Sequence, residues 1–122
     1  MIRYLEDLPS NVAGFKAVGE ITEVDFTETV MPKVQALIDK TDKLNYLLVL
    51  ETSLKNFSFG AWLKDALMGI KHVTKWNRAA IVTDVDAIRK FTDIFSIFIP
   101  GEFRGFEHKE LQEAIDWVSE KK

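Results

Sequence analysis

Cysteine is absent from the 122-residue chain, which excludes disulfides, a thiol nucleophile and cysteine-ligated zinc. Glycine and proline are sparse, at six and three residues, and no linker, repeat or low-complexity stretch breaks the chain. No apolar run approaches the ~20 residues that a membrane span requires. The opening "MIRYLEDLPS" carries acids close behind its start and no apolar h-region, so no secretory signal is read and a cytoplasmic location is expected. His72 and His108 are the only histidines, without His-x-x-x-His or Glu-rich metal spacing. There is no Gly-x-Ser-x-Gly elbow, P-loop or Gly-x-Gly-x-x-Gly, and "GEFRG" has the wrong spacing and context. Neither an enzyme nor a cofactor is expected.

What the chain does have suits one domain over residues 1–122. Its composition is 47% hydrophobic and 29% charged, enough to bury a single core. The net charge of −3 argues against nucleic acid, because duplex binding requires clustered cations to neutralise phosphates. Lys64, Lys71, Lys75 and Arg78 nevertheless fall within fifteen residues, a local basic cluster on an acidic chain.

Periodicity orders the elements. "IRYLED" alternates Ile2 and Tyr4 against Arg3 and Leu5 as a short strand, with a turn at "LPSN". "GFKAVGEI" (14–21) follows as its hairpin partner. Thr22 and Asp25 form an approximate capping box for a helix running to about Lys40, with Phe26, Val30, Val34, Leu37 and Ile38 inward. Pro32 lies within it and should kink it. "LNYLLVLE" (44–51) is almost wholly apolar, as a strand covered on both faces must be. Residues 57–73 read as a helix, 76–83 as another buried strand, and 85–99 as a helix that Asp84 can cap and Pro100-Gly101 closes. "EFRGFE" (102–107) is a last strand, and "KELQEAIDWVSEK" a terminal helix with Leu111, Ala114, Ile115 and Val118 inward. The order ββαβαβαβα gives an α/β class: a mixed, mostly parallel sheet packed with helices.

That order resembles the STAS domain of anti-sigma-factor antagonists. The stretches "ETVMPKVQALI", "KHVTKWNRAAIVTD", "FSIFIPGEFRGFE" and "EAIDW" are similar to a bacterial branch of SpoIIAA-like proteins, over nearly the whole chain. In phosphorylatable STAS domains an Asp-Ser-Ser-Gly stretch opens the helix after the third strand, and its second serine accepts phosphate. The corresponding residues are Phe57, Ser58, Phe59 and Gly60. Gly60 and Ser58 match the pattern, whereas Phe59 at the acceptor position has no hydroxyl. Ser58 is then either a plain helix N-cap or a phosphorylation candidate at a helix start that favours anions. The fold also resembles lipid-exchange domains of the CRAL-TRIO type, and the branch implies ligand-binding or membrane-associating proteins.

Residues 57–73 and 85–99 carry more apolar surface than one stripe requires. Phe59 and Trp62 face one way on the first, and Phe91, Phe95 and Phe98 on the second. They make either a filled core or, if the helices part, an apolar crevice for an acyl chain or similar ligand. Met68 lies on the opposite side between Lys64 and Lys71, with Phe57 near, and Ile97 falls on the polar side of its helix. These suit an anionic membrane surface or a protein partner, or they are ordinary single exposures. Glu51 and Asp84 end the third and fourth strands, where open α/β sheets bind ligands, and could act as a carboxylate pair. An N-cap role for Asp84 and a solvated strand end for Glu51 compete with that. The expected function is non-enzymatic binding of an apolar or lipid-like ligand, or peripheral membrane association. The alternative is a STAS-type protein–protein regulatory module docking at the helix that starts at Ser58, or a homodimer hiding the same patch.

Overall fold

The computed structural model describes residues 2–18, 24, 26–51, 76–84 and 102–120. Strands β1 (Ile2–Leu5) and β2 (Ala13–Ala17) come first, then a π-helical turn (Phe26–Val30), α1 (Met31–Thr41) and β3 (Leu44–Leu50). β4 (Trp76–Val82), β5 (Glu102–Phe106), a 3-10 turn (His108–Glu110) and α2 (Leu111–Ser119) complete them. The two segments 57–73 and 85–99 lie outside the described residues, as do Thr22 and Asp25.

The strands form one five-stranded sheet in the order β1-β2-β3-β4-β5. β1 runs antiparallel to β2 with Tyr4 opposite Phe15, and the other three pairings are parallel. This is the mixed α/β sheet that the element order predicts. The turn between β1 and β2 closes through Val12 N–H donating to the Pro9 carbonyl at 3.0 Å. Beside it Gly14 lies so close under Leu8 that a Cβ there would overlap the leucine side chain.

Period-two alternation sorts the sheet into two apolar faces. Phe15, Tyr46, Leu48, Ile81 and Phe103 pack with Val30, Val34, Leu37 and Ile38 of the π turn and α1. Leu47, Val49, Ala80, Val82 and Phe106 pack with Ala114 and Val118 of α2. All seven residues of β3 are buried, as its continuous apolar run requires. Each large side chain so enclosed contributes on the order of 1.5–3 kcal/mol.

Two local expectations are revised, and a third gains detail. Pro32 lies within a continuous helical run, one residue after the π-helical turn gives way to α1, so the backbone hydrogen-bonding register changes beside the residue that lacks an N–H. Leu111 is 37% exposed, because it opens α2 directly after the 3-10 turn, and Ala114 and Val118 carry the buried face. Arg78 belongs to no surface basic cluster, being 5% exposed. A bulge explains its direction. Leu44 pairs with Trp76 but Asn45 pairs with Arg78, so Asn77 is the extra residue. The slip sends Trp76 to the α1 face and Arg78 to the α2 face. There Arg78 Nε donates to Glu102 Oε2 at 2.7 Å, and Nη1 donates to the Trp117 carbonyl at 2.6 Å and to Glu120 Oε2 at 3.1 Å.

Candidate functional site

Parallel strands deliver their carboxyl ends to one rim of the sheet, the rim at which open α/β sheets bind ligands. Val82 pairs with Phe106, so Asp84 and His108 each lie two residues beyond paired positions on neighbouring strands. Their side chains meet. His108 N–H donates to Asp84 Oδ1 at 3.0 Å, and the imidazole Nδ1 lies 2.9 Å from Asp84 Oδ2. The other ring nitrogen reaches across to β3, where Nε2 lies 2.7 Å from the Leu50 carbonyl.

The chemistry of this arrangement follows from the donor inventory. A carbonyl oxygen only accepts, so Nε2 carries a hydrogen. An ionised carboxylate also only accepts, so with Asp84 ionised both bonds form together only when the ring is protonated on each nitrogen. In that state His108 offers no lone pair to a metal or to a substrate proton. It is a tie that joins the ends of β3, β4 and β5.

The neighbouring groups are similarly engaged. Lys16 Nζ lies 3.1 Å from Glu51 Oε2, and Glu51 N–H donates to the Ala17 carbonyl at 3.0 Å. Thr83 N–H donates to the Phe106 carbonyl at 2.8 Å. Glu107 and Glu110 cap the 3-10 turn reciprocally. The pair Glu51 and Asp84 considered from the sequence is therefore divided, one carboxylate on Lys16 and the other on His108. Among the described residues no group of three metal-capable side chains comes together, and no helix is long and apolar enough to cross a membrane.

A second feature crosses the α1 face of the sheet. Tyr4, Phe15, Tyr46, Trp76 and Phe103, one ring from each strand, form a row with successive centroids 5.6, 5.5, 5.7 and 5.3 Å apart. Lys33 Nζ sits 4.6 Å from the Tyr4 ring at one end. Burial pushes the Tyr46 hydroxyl well above the ordinary tyrosine range. Trp76 is 5% exposed, and its indole N–H meets no acceptor among the described residues.

The apolar-crevice residues Phe59, Trp62, Phe91, Phe95 and Phe98 lie outside the described residues. So do Phe57, Lys64, Met68, Lys71 and Ile97 of the outward surface, together with Ser58 and His72. What spacing alone missed is the Asp84–His108 pair, 24 residues apart in sequence. The signal that would have found it is the equal offset of the two residues past adjacent parallel strands.

Comparison with known proteins places this geometry. A family model described as SpoIIAA-like matches residues 12–119. No curated protein matches the chain. A solved structure, an uncharacterized protein from the DUF3478 family with a SpoIIAA-like fold from Shewanella loihica PV-4, is 27% identical. It superposes with a TM-score of 0.68 over 96% of this chain and 93% of that one. The family match spans most of the sequence and the similar structure has the same fold, so the chain belongs to the SpoIIAA-like family.

Proposed function

We propose that the chain is a non-enzymatic, STAS-type regulatory module that docks a protein partner on the loops at the carboxyl ends of β3, β4 and β5. The observation that carries this reading is His108. With both ring nitrogens engaged by Asp84 and Leu50, it ties the last residue of β3 to the ends of the two neighbouring strands. A platform fixed in this way suits rigid docking, in which little ordering cost is left to binding. Chemistry at the same rim would instead require a ring nitrogen free to take a proton.

The test is site-specific photo-crosslinking in the host cell. A crosslinker at Glu51 or Lys109, both exposed beside the tie, is expected to give one discrete adduct that weakens when His108→Ala is added. A control at exposed Lys40 on α1 is expected to give none. An adduct at Lys40 alone, or none from any position, overturns the reading.

A second reading is supported by the enclosed Trp76 N–H, a donor set in an apolar row. In it the domain holds an apolar or lipid-like ligand, with Phe59, Trp62, Phe91, Phe95 and Phe98 lining the crevice. Delivery to an anionic membrane through Phe57, Lys64, Met68, Lys71 and Ile97 is part of the same reading. A native mass spectrum of gently purified protein with an apolar adduct is the expected outcome. Bare monomer removes the reading, and a bare dimer assigns the apolar surface to a subunit interface.

A further inference from the structure

We propose that His108 is a proton-operated latch on the carboxyl-end rim: with both ring nitrogens protonated it ties β3, β4 and β5 together, and on losing its Nδ1 proton it keeps the Leu50 carbonyl and releases Asp84 Oδ2. As regulation of the docking rim, the latch rests on the first reading above. As chemistry of the chain, it rests on three distances. His108 N–H donates to Asp84 Oδ1 at 3.0 Å, Nδ1 lies 2.9 Å from Asp84 Oδ2, and Nε2 lies 2.7 Å from the Leu50 carbonyl. Both ring partners only accept while Asp84 is ionised, so the complete tie contains an imidazolium. A neutral ring has one N–H and must give up one of the two bonds.

Burial decides which bond is lost. Leu50 is 2% exposed, and a carbonyl stripped of its donor there has little water to replace it. The Asp84 side chain is exposed, and a carboxylate released there is hydrated again. The neutral ring therefore keeps its hydrogen on Nε2. Its Nδ1 lone pair then stands against the anionic Oδ2, a repulsive contact that opens into solvent as the proton passes to water. β3 stays tied to the 3-10 turn through Nε2, whereas β4 loses the side-chain half of its attachment.

The charged groups on the described elements around the ring are named in order. Asp84 follows β4, Lys16 of β2 is paired with Glu51 after β3, and Lys109 is paired with Glu107. Glu110 accepts the Glu107 N–H through Oε1, and Glu113 lies in the first turn of α2. Carboxylates and ammonium groups ordinarily hold their charge between about pH 5 and 8, and imidazole is the side chain that does not. The latch is thus complete on the acid side of the ring's titration and half-released on the alkaline side. A partner that docks on the fixed rim is held more tightly on the acid side.

Two-bond proton–nitrogen correlation NMR of the whole chain, recorded from about pH 5 to 9, reads the state of each ring nitrogen, and His72→Gln removes the other histidine so that the signals are identified. The expected result is an imidazolium at the acid end, replaced by an Nε2–H neutral ring whose proton the Leu50 carbonyl still protects from exchange. The His108 amide proton is expected to move upfield over the same range, as Asp84 loosens. Asp84→Asn exchanges an acceptor for a donor that suits the neutral ring, so it is expected to shift the titration of His108 to lower pH, a readout that a purely structural contact does not move. A neutral ring protonated on Nδ1, an Nε2 proton that exchanges freely, or a titration that Asp84→Asn leaves in place overturns the latch. The measurement needs no partner, so a missing crosslinked adduct overturns the docking reading and leaves the latch standing, and an Nδ1–H ring does the reverse.

Discussion

Arg78 and Trp117 are joined twice: the guanidinium donates to the Trp117 carbonyl at 2.6 Å while its Cζ lies 4.9 Å from the indole ring of the same residue. A buried cation thus holds the last turn of α2 through both main chain and side chain. The carboxylates of Glu102 and Glu120 add charge-assisted bonds from positions that are half-exposed. Because those carboxylates stay partly solvated, losing the arginine strands no buried charge. Arg78→Met is expected to destabilise the fold by about 2–3 kcal/mol, through the lost bonds and the unpaired carbonyl. Arg78→Lys recovers only part of this, since an ammonium lacks the planar fork that reaches several acceptors at once. Urea unfolding followed by circular dichroism reads both.

The tie at the opposite rim should divide unequally. Asp84 has a 66% exposed side chain, so its pairing with His108 is screened, and a double-mutant cycle between His108→Ala and Asp84→Ala is expected to give a coupling of about 0.5–1 kcal/mol. His108→Ala alone is expected to cost more, about 1–3 kcal/mol, because the part-buried Leu50 carbonyl also loses its donor. A coupling as large as the His108→Ala effect itself would show that the Leu50 bond contributes nothing.

Gly14 and Leu8 exclude one another's growth. Gly14→Ala is expected to cost roughly 1–2 kcal/mol, because the new methyl must displace Leu8 from its place over β2. Adding Leu8→Ala should relieve that clash, making the double variant less destabilised than the sum of the singles. Strict additivity in unfolding free energies would mean that the strain lies elsewhere.

Tyr46 sets an alkaline limit. Burial raises its hydroxyl above the unfolded value of about 10, so the folded state keeps a proton that the unfolded chain releases. The sign follows: its contribution is fully present below about pH 10 and is lost as pH rises further. Tyr46→Phe is expected to flatten the decline of the urea midpoint between about pH 10 and 12. An unchanged slope would locate the alkaline sensitivity in other groups.

The strands were legible because each carries its own pattern. The alternation of Ile2 and Tyr4 against Arg3 and Leu5 and the unbroken apolar run of β3 state directly which faces are covered. The same holds for Val34, Leu37 and Ile38 at helical spacing. Pairings between elements were not legible. His108 bonds to residues 24 and 58 positions away, and nothing local in the sequence marks such a partner. The bulge at Asn77 hid the direction of Arg78, which a regular strand would have put on the same side as Trp76. Leu111 misled because a helical wheel assigns faces without knowing where the helix starts. Of the site residues expected from spacing, those in 57–73 and 85–99 lie outside the described part, whereas Glu51 and Asp84 were placed correctly at the strand ends.

The sheet stands in space in the order in which the chain is written, β1 through β5. As the polypeptide leaves the ribosome, each new strand finds its edge already laid down, and no strand waits for a later one to slip in beside it. Loop closure is then needed only between neighbours, which favours stepwise growth over a search for distant partners. α2 is made last and folds back over β3 and β4. Among the described residues it is the helix that covers Leu47, Val49, Ala80, Val82 and Phe106, so this apolar face of the sheet gains that cover only when the final residues of the domain have left the ribosome.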